Sequence, residues 1–329
     1  MLNSLARHLR EHLFWYSLVS IGLGWIGGLL FPDLPRTHAD VFKTMANILV
    51  FLMIYPMMIN LRVEKLLDVA KDPKPVLLSL FYNFLLTPGL SYLLARLFFQ
   101  GSPDVALGFW LVMLIPGSSM SLGYTGLTGG NLEVGAIALG LNFVIVPVIL
   151  PFLMHLLGKT YEVHVPLGTL IWTVVLVLLL PMILGDLTRR LIIRKGGQKG
   201  YESLKPLFSS VTMLGMFLIV ALIFFTKAEL LTEKWTILIP LLVVTFLYLL
   251  VMFPLITWIN RYVGLSYEEH MGIVFLSTGK NNGTAIAIAL MGFSPLTAIP
   301  AATLPLFQIV FSIAYVLLAP KIRSFFERR

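Results

Sequence analysis

The sequence predicts an all-α integral membrane protein of ten transmembrane helices, built as two inverted five-helix repeats with helices four and nine broken. Three observations predict it. Apolar runs of roughly 20 residues, the length that crosses a bilayer, recur along nearly the whole chain. Two of these runs carry a polar break, IPGSSMSLGYT at 115–125 and FLSTGKNNG at 275–283. The two breaks lie about half a chain apart, and interrupted segments at matching places in two halves are the best sequence pointer to a transporter binding site.

Composition limits the alternatives. The 329 residues are 58% hydrophobic and only 12% charged, too little polar surface for a soluble fold. No polar block is long enough for a separate soluble domain, so 1–329 is one membrane domain. With no cysteine, disulfides, thiolate metal sites and cysteine nucleophiles are excluded, but no compartment is assigned. The net charge of +8 suggests no nucleic acid, because the basic residues sit in loops between apolar spans.

The first twelve residues carry Arg7, Arg10 and Glu11 and precede a tryptophan-bearing run at 13–31. That run is longer than a signal-peptide core and lacks a small-residue cleavage pattern, so it is read as the first span. The others follow at 41–60, 76–99, 105–127 (interrupted), 132–157, 167–193, 207–225, 235–263, 271–291 (interrupted) and 296–319. An inside N terminus places seventeen of the 24 lysines and arginines inside, around Arg7, Lys74, Arg189, Arg261 and Lys321 and including Arg62, Lys65, Lys71 and Arg329. Arg36, Lys43, Arg96, Lys159, Lys227 and Lys234 fall outside. The bias supports an even number of spans with both termini cytoplasmic, in a cell inner or plasma membrane.

The halves, approximately 13–157 and 167–319, share landmarks at offsets of about 160 to 166 residues. MINLRVEKLL at 58–67 matches IFFTKAELL at 223–231, and Thr87-Pro88-Gly89 in span three matches Phe253-Pro254 in span eight. Five spans per repeat is odd, so the second repeat enters the membrane inverted.

An isolated glycine or proline, such as Gly24, Gly27 or Pro181, serves equally well as a kink or a close-packing point. The two breaks differ because hydroxyls and amides coincide with them. Ser118, Ser119, Ser121 and Thr125 lie along the first, and Ser277, Thr278, Lys280, Asn281 and Asn282 along the second. Asn83, Asn142 and Gln308 are further deep polar residues. Each alone would serve as an interhelical hydrogen bond; together they are candidates to line a substrate or ion cavity.

Lys280 is the most informative residue. A lysine at mid-membrane costs roughly 2.5 to 3.5 kcal/mol on insertion scales, so it faces protein or a water-filled cavity. One reading ties its ammonium to carbonyls of the opposing broken helix, where it substitutes for a bound cation. The other makes it an anion contact or a titrating group. No Asp or Glu sits at a span centre; Glu133, Asp186, Glu268 and Glu269 fall near helix ends, where solvated or capping roles are expected. The histidines show no metal-ligand spacing, GKN at 279–281 lacks the rest of a phosphate-binding loop, and no serine triad stands out. The sequence contains no enzyme signature.

PGSSMSLGYTGLTGGN at 116–131, the amide-bearing fifth span and STGKNNGTAIAIAL at 277–290 resemble the bile acid:sodium symporter family, whose superfamily includes arsenite exporters and organic-anion carriers. The resemblance covers essentially the whole chain. It implies that broken helices four and nine cross, that spans 3–5 and 8–10 form a core and spans 1, 2, 6 and 7 a panel, and that access alternates between them. Carried over residue by residue, the family's sodium-site positions fall at Asn83, Ser121, Ser277 and Asn281. Leu122 stands where members often have Asn, and Ser277 where they have an acidic ligand. A hard cation prefers anionic oxygen, and the adjacent Lys280 opposes it, which disfavours the usual sodium coupling.

The expectation is a secondary active transporter of a small organic anion, without cofactor, coupled to Na+, H+ or neither, and surrounded by lipid. Export of arsenite or another oxyanion is the alternative; those exporters characteristically use a cysteine in the first broken helix, which is absent here. A non-transporting receptor or scaffold would not need two polar breaks at corresponding depths. The oligomeric state is left open, a monomer being compatible.

Overall fold

The computed structural model describes residues 2–61, 73–159, 167–233 and 235–328. Arg62, Lys65, Lys71, Lys234 and Arg329 lie outside the described residues, as does most of the repeat landmark at 58–67. Helices make up nearly all that is described, and among the described residues the only strand-like pairing is one isolated bridge. Seven helical stretches there are long and apolar enough to cross a membrane.

α1 (Leu2–Glu11) is amphipathic: Ala6 and Leu9 are buried three residues apart while Arg7 and Arg10 are exposed. α2 (Leu13–Leu30) and, after the short α3 (Asp33–Thr37), α4 (Ala39–Ile59) follow. The third predicted span is α5 (Pro73–Phe81) and α6 (Thr87–Phe98), joined by a π-helical turn at Tyr82–Leu86. The irregularity therefore precedes Thr87-Pro88-Gly89 rather than falling on it. Pro88 has no N–H to donate to the carbonyl four residues back, and the Thr87 N–H reaches Tyr82 O, so the register widens over this turn. The same device recurs where α10 (Leu167–Val174) passes through a π turn at Val175–Leu179 into α11 (Leu180–Thr226), just before Pro181.

α11 joins the sixth and seventh predicted spans into one helical stretch, turned at Gly197, where φ is 65°. After α12 (Ala228–Glu233), α13 (Leu238–Tyr262) runs through Pro254 without a break, against the interruption expected there. The remaining long elements are α9 (Leu132–Gly158) and α16 (Ile299–Leu317), with α17 (Ala319–Glu327) closing the chain.

The fourth and ninth predicted spans are each in two pieces: α7 (Pro103–Leu114) with α8 (Ser119–Leu127), and α14 (Tyr267–Thr278) with α15 (Asn282–Gly292). They lie at the centre of the molecule. Every residue from Val105 to Leu114, and from Met271 to Ala289, is buried, whereas α2 and α4 expose one apolar flank, including Trp15, Leu23, Ile48 and Phe51. On its other side α2 packs closely on α11. A Cβ at Gly24 would stand 2.2 Å from Ala221 O, and one at Gly28 would stand 2.2 Å from Phe225 O. This four-residue spacing of small residues lets membrane helices approach backbone to backbone.

Candidate functional site

Both broken helices restart with a polar cap. Ser118 begins α8 and accepts a hydrogen bond from Met120 N through its hydroxyl (3.3 Å); Asn281 begins α15 and accepts one from Thr284 N (3.1 Å). Ser and Asn at these positions satisfy N–H groups that a helix start leaves unpaired. The polar residues are thus the reason the helices can break inside an apolar bundle.

The two breaks are tied to each other. Pro116 and Lys280 form an antiparallel bridge, and Gly117 N donates to Leu276 O at 2.9 Å. On α8, Ser121 Oγ donates to Phe275 O (3.1 Å) and Thr125 Oγ1 to Met271 O (2.9 Å), a pair of hydroxyls four apart meeting carbonyls four apart. Gln308 of α16 holds the Lys280 peptide from both sides, accepting from Lys280 N (3.0 Å) and donating to Lys280 O (3.2 Å).

The Lys280 side chain is 1% exposed, and its Nζ donates to Asn83 Oδ1 at 3.0 Å. One of the two readings of the sequence placed this group against carbonyls of the opposing broken helix. Its partner is instead a side-chain amide on the π turn, because the Lys280 backbone already occupies the other break. Asn83 Nδ2 donates to Ser79 O (3.1 Å), and Asn142 Nδ2 donates to Ser79 Oγ (3.0 Å), so α5, the π turn, α9 and the second break share one polar network.

Two neighbouring cavities adjoin this network. The inner one, about 110 Å³, is lined by Ser118, Lys280, Asn281, Asn282 and Gln308 on one side and by Met53, Met57, Met213 and Met216 of α4 and α11 on the other. The outer, about 940 Å³, is lined by Arg7, Arg10, Lys205, Tyr124, Glu133 and the apolar Leu122, Leu127, Leu132 and Leu139. Arg10, Asn60, Met120 and Ser209 border both. The starts of α8 and α15, the positive ends of their dipoles, meet the inner cavity.

Of the predicted site residues, Ser118, Lys280, Asn281, Asn282 and Gln308 come together at the inner cavity, with Asn83 and Asn142 behind Lys280. Ser121, Thr125 and Thr278 do not reach it; their hydroxyls donate to backbone carbonyls, Thr278 to Val274 O at 2.8 Å. The Ser119 side chain lies outside the described residues. Ser277 is fully buried, and its Oγ has no hydrogen-bond partner among the described residues, as is true of Asn142 Oδ1 and Asn282 Oδ1. Sequence reasoning missed Ser79, Asn60 and Arg10. Ser79 was findable, four residues before Asn83 on the same helical face; Arg10 is visible only once α1 is known to fold over the cavity.

Residues 47–234 match the Sodium Bile acid symporter family. The chain is 29% identical over 290 residues to the arsenical-resistance protein Acr3 of Alkaliphilus metalliredigens, covering 81% of this chain and 80% of that one. It is 24% identical to Acr3 of Corynebacterium glutamicum (75% of this chain, 69% of that one). It is also 24% identical to the uncharacterized sodium-dependent transporter YocS of Bacillus subtilis (84% and 81%). With a family match over more than half its length and a bundle of membrane-length apolar helices, the chain belongs to the sodium bile acid symporter family, a family of integral membrane transporters.

Proposed function

We propose that this protein is a secondary transporter of a small organic anion that carries its cation within its own sequence, as the Lys280 ammonium on Asn83. The observation that carries the reading is the 3.0 Å Nζ to Oδ1 bond at a fully buried depth, beside two helix N-terminal ends. Positive dipole ends and a buried ammonium favour an anionic substrate. The four positions at which the family resemblance implies sodium ligands do not fit that ion. Asn83 accepts from Lys280, Ser121 donates to Phe275 O, Asn281 caps α15, and Ser277 supplies a hydroxyl in place of a carboxylate. Transport is accordingly sodium-independent, as uniport or linked to a proton.

The same reading takes the chain as ten spans in two inverted five-helix repeats. Broken spans cross in a core of spans 3–5 and 8–10, and access alternates against a panel of spans 1, 2, 6 and 7. Both termini are cytoplasmic, which makes the described cavities open inward. Uptake of labelled organic acids into proteoliposomes tests the proposal: accumulation that is unchanged when Na+ is replaced by K+ is expected, and strong stimulation by Na+ rejects the built-in cation.

Export of arsenite is the second reading, favoured by the two relatives named as arsenical-resistance proteins. This chain has no cysteine to offer the soft metalloid a thiolate, and the inner cavity offers amides, thioethers and positive charge instead. Arsenite in the same liposome assay separates the two.

A further inference from the structure

The positive groups at the inner cavity differ in what else engages them. Lys280 donates to Asn83 and its peptide is held by Gln308. Arg10 borders both cavities, and among the described residues no carboxylate lies within ion-pair distance of it. Its position is built rather than incidental. Leu9 beside it is buried with Leu13 against Met213, Phe217 and Ile309, which fixes α1 across α11 and α16. The adjoining face of α1, about a quarter turn round, then presents Arg10 beside α8, where its guanidinium would lie 3.8 Å from a Cβ at Gly123.

Volume decides how a ligand divides between the two chambers. A cavity of about 150 Å³ accommodates benzene, so the inner chamber of about 110 Å³ takes a head group and no more. The outer chamber of about 940 Å³ has the size of a whole-ligand site and leucines on its wall. Resting on the organic-anion reading above, we infer that Arg10 receives the carboxylate of an amphipathic monoanion at the neck between the chambers, with the apolar body left in the outer one. A guanidinium suits this role because its planar fork matches a carboxylate with two parallel hydrogen bonds.

The test is direct binding to the purified full-length protein, using labelled hexanoate as probe and hexanamide, its uncharged counterpart, as competitor. Wild type is expected to bind hexanoate and to resist competition by an equal concentration of hexanamide. Arg10→Gln should weaken hexanoate binding at least tenfold and erase the preference for the charged form, with an unchanged melting temperature. Arg10→Lys, which keeps the charge but loses the fork, should fall between. Arg7→Gln, on the same helix but bordering only the outer chamber, should weaken hexanoate binding less than Arg10→Gln does and keep the preference for the charged form. Wild-type affinity and preference in Arg10→Gln overturns the inference while leaving the anion reading in place. Equal losses in Arg7→Gln and Arg10→Gln overturn it in favour of a diffuse positive field. Failure of the wild type to bind hexanoate overturns the anion reading, and the inference with it.

Discussion

Asn83 and Lys280 are 197 residues apart in sequence and form one buried polar pair. Removing one partner of such a pair leaves the other unsatisfied at a cost of about 1–3 kcal/mol, more when it is charged. Asn83→Leu should therefore lower the apparent melting temperature in detergent with Lys280 present, and much less in a Lys280→Met background. A destabilisation of the same size in both backgrounds would show that the two residues are not coupled. Lys280→Met alone should fold and lose or redirect coupling; unchanged transport and pH dependence in that variant would reject its role. The importance of Lys280 was legible in the sequence, because a lysine at mid-membrane is costly wherever it points. Its partner was not, since contact across that separation is set by how α5, α9 and α14 pack. Ser121 and Thr125 were legible as polar but not as carbonyl partners, because the broken helix that needs them lies in the other half of the chain.

At the level of the helix, glycines that look alike in sequence divide once packing is known. Gly22, Gly24 and Gly28 all lie on α2, yet nothing stands within 4 Å of a Cβ at Gly22, whereas Gly24 and Gly28 abut the α11 backbone. Backbone cannot turn aside as a flexible side chain can. Gly24→Leu and Gly28→Leu should each destabilise by about 1–3 kcal/mol or more, as overpacked sites do, while Gly22→Leu stays within about 0.5 kcal/mol, the usual range for changes away from such contacts. Thermal unfolding of the three variants side by side decides it; equal melting temperatures would remove the close-packed seam from the account. The breaks were legible for a related reason. Ser118 and Asn281 are residues that start helices anywhere, and only their apolar surroundings made them conspicuous. The π turn at Tyr82–Leu86 was half legible: Pro88 announces a lost N–H, but nothing local says on which side the register gives way.

For the molecule as a whole, the arrangement of spans makes a statement about sidedness. The absence of native cysteine allows single cysteines to report it without background. Cysteines replacing Ser4 and Gln198 should react with a membrane-impermeant maleimide only from the cytoplasmic face, and one replacing Gln100 only from the opposite face. Labelling of positions 4 and 100 from the same side would refute the ten-span topology. Helical class and membrane character were the most legible features of all, since composition and run length alone dictate them. The joining of the sixth and seventh predicted spans within α11 was not, because Gly196 and Gly197 read as a loop and only backbone geometry shows the chain turning there while helix continues on both sides.

The inner cavity has amides on one wall, those of Asn281 and Gln308 fixed by bonds to backbone, and methionines facing them. Where they meet, Gly283 has no side chain, and a Cβ there would come within 2.9 Å of Met53 Sδ. An unbranched thioether changes shape at little cost, so the seam is a deformable joint, crossed by a polar contact, the hydrogen bond that Asn281 Nδ2 donates to Met57 Sδ at 3.1 Å. On the alternating-access proposal, friction at this joint sets turnover. Replacing Met53 and Met57 together with valine, stiff about its first side-chain torsion, should slow uptake at least tenfold while hexanoate still binds. Uptake at the wild-type rate would mean that the moving surface lies elsewhere.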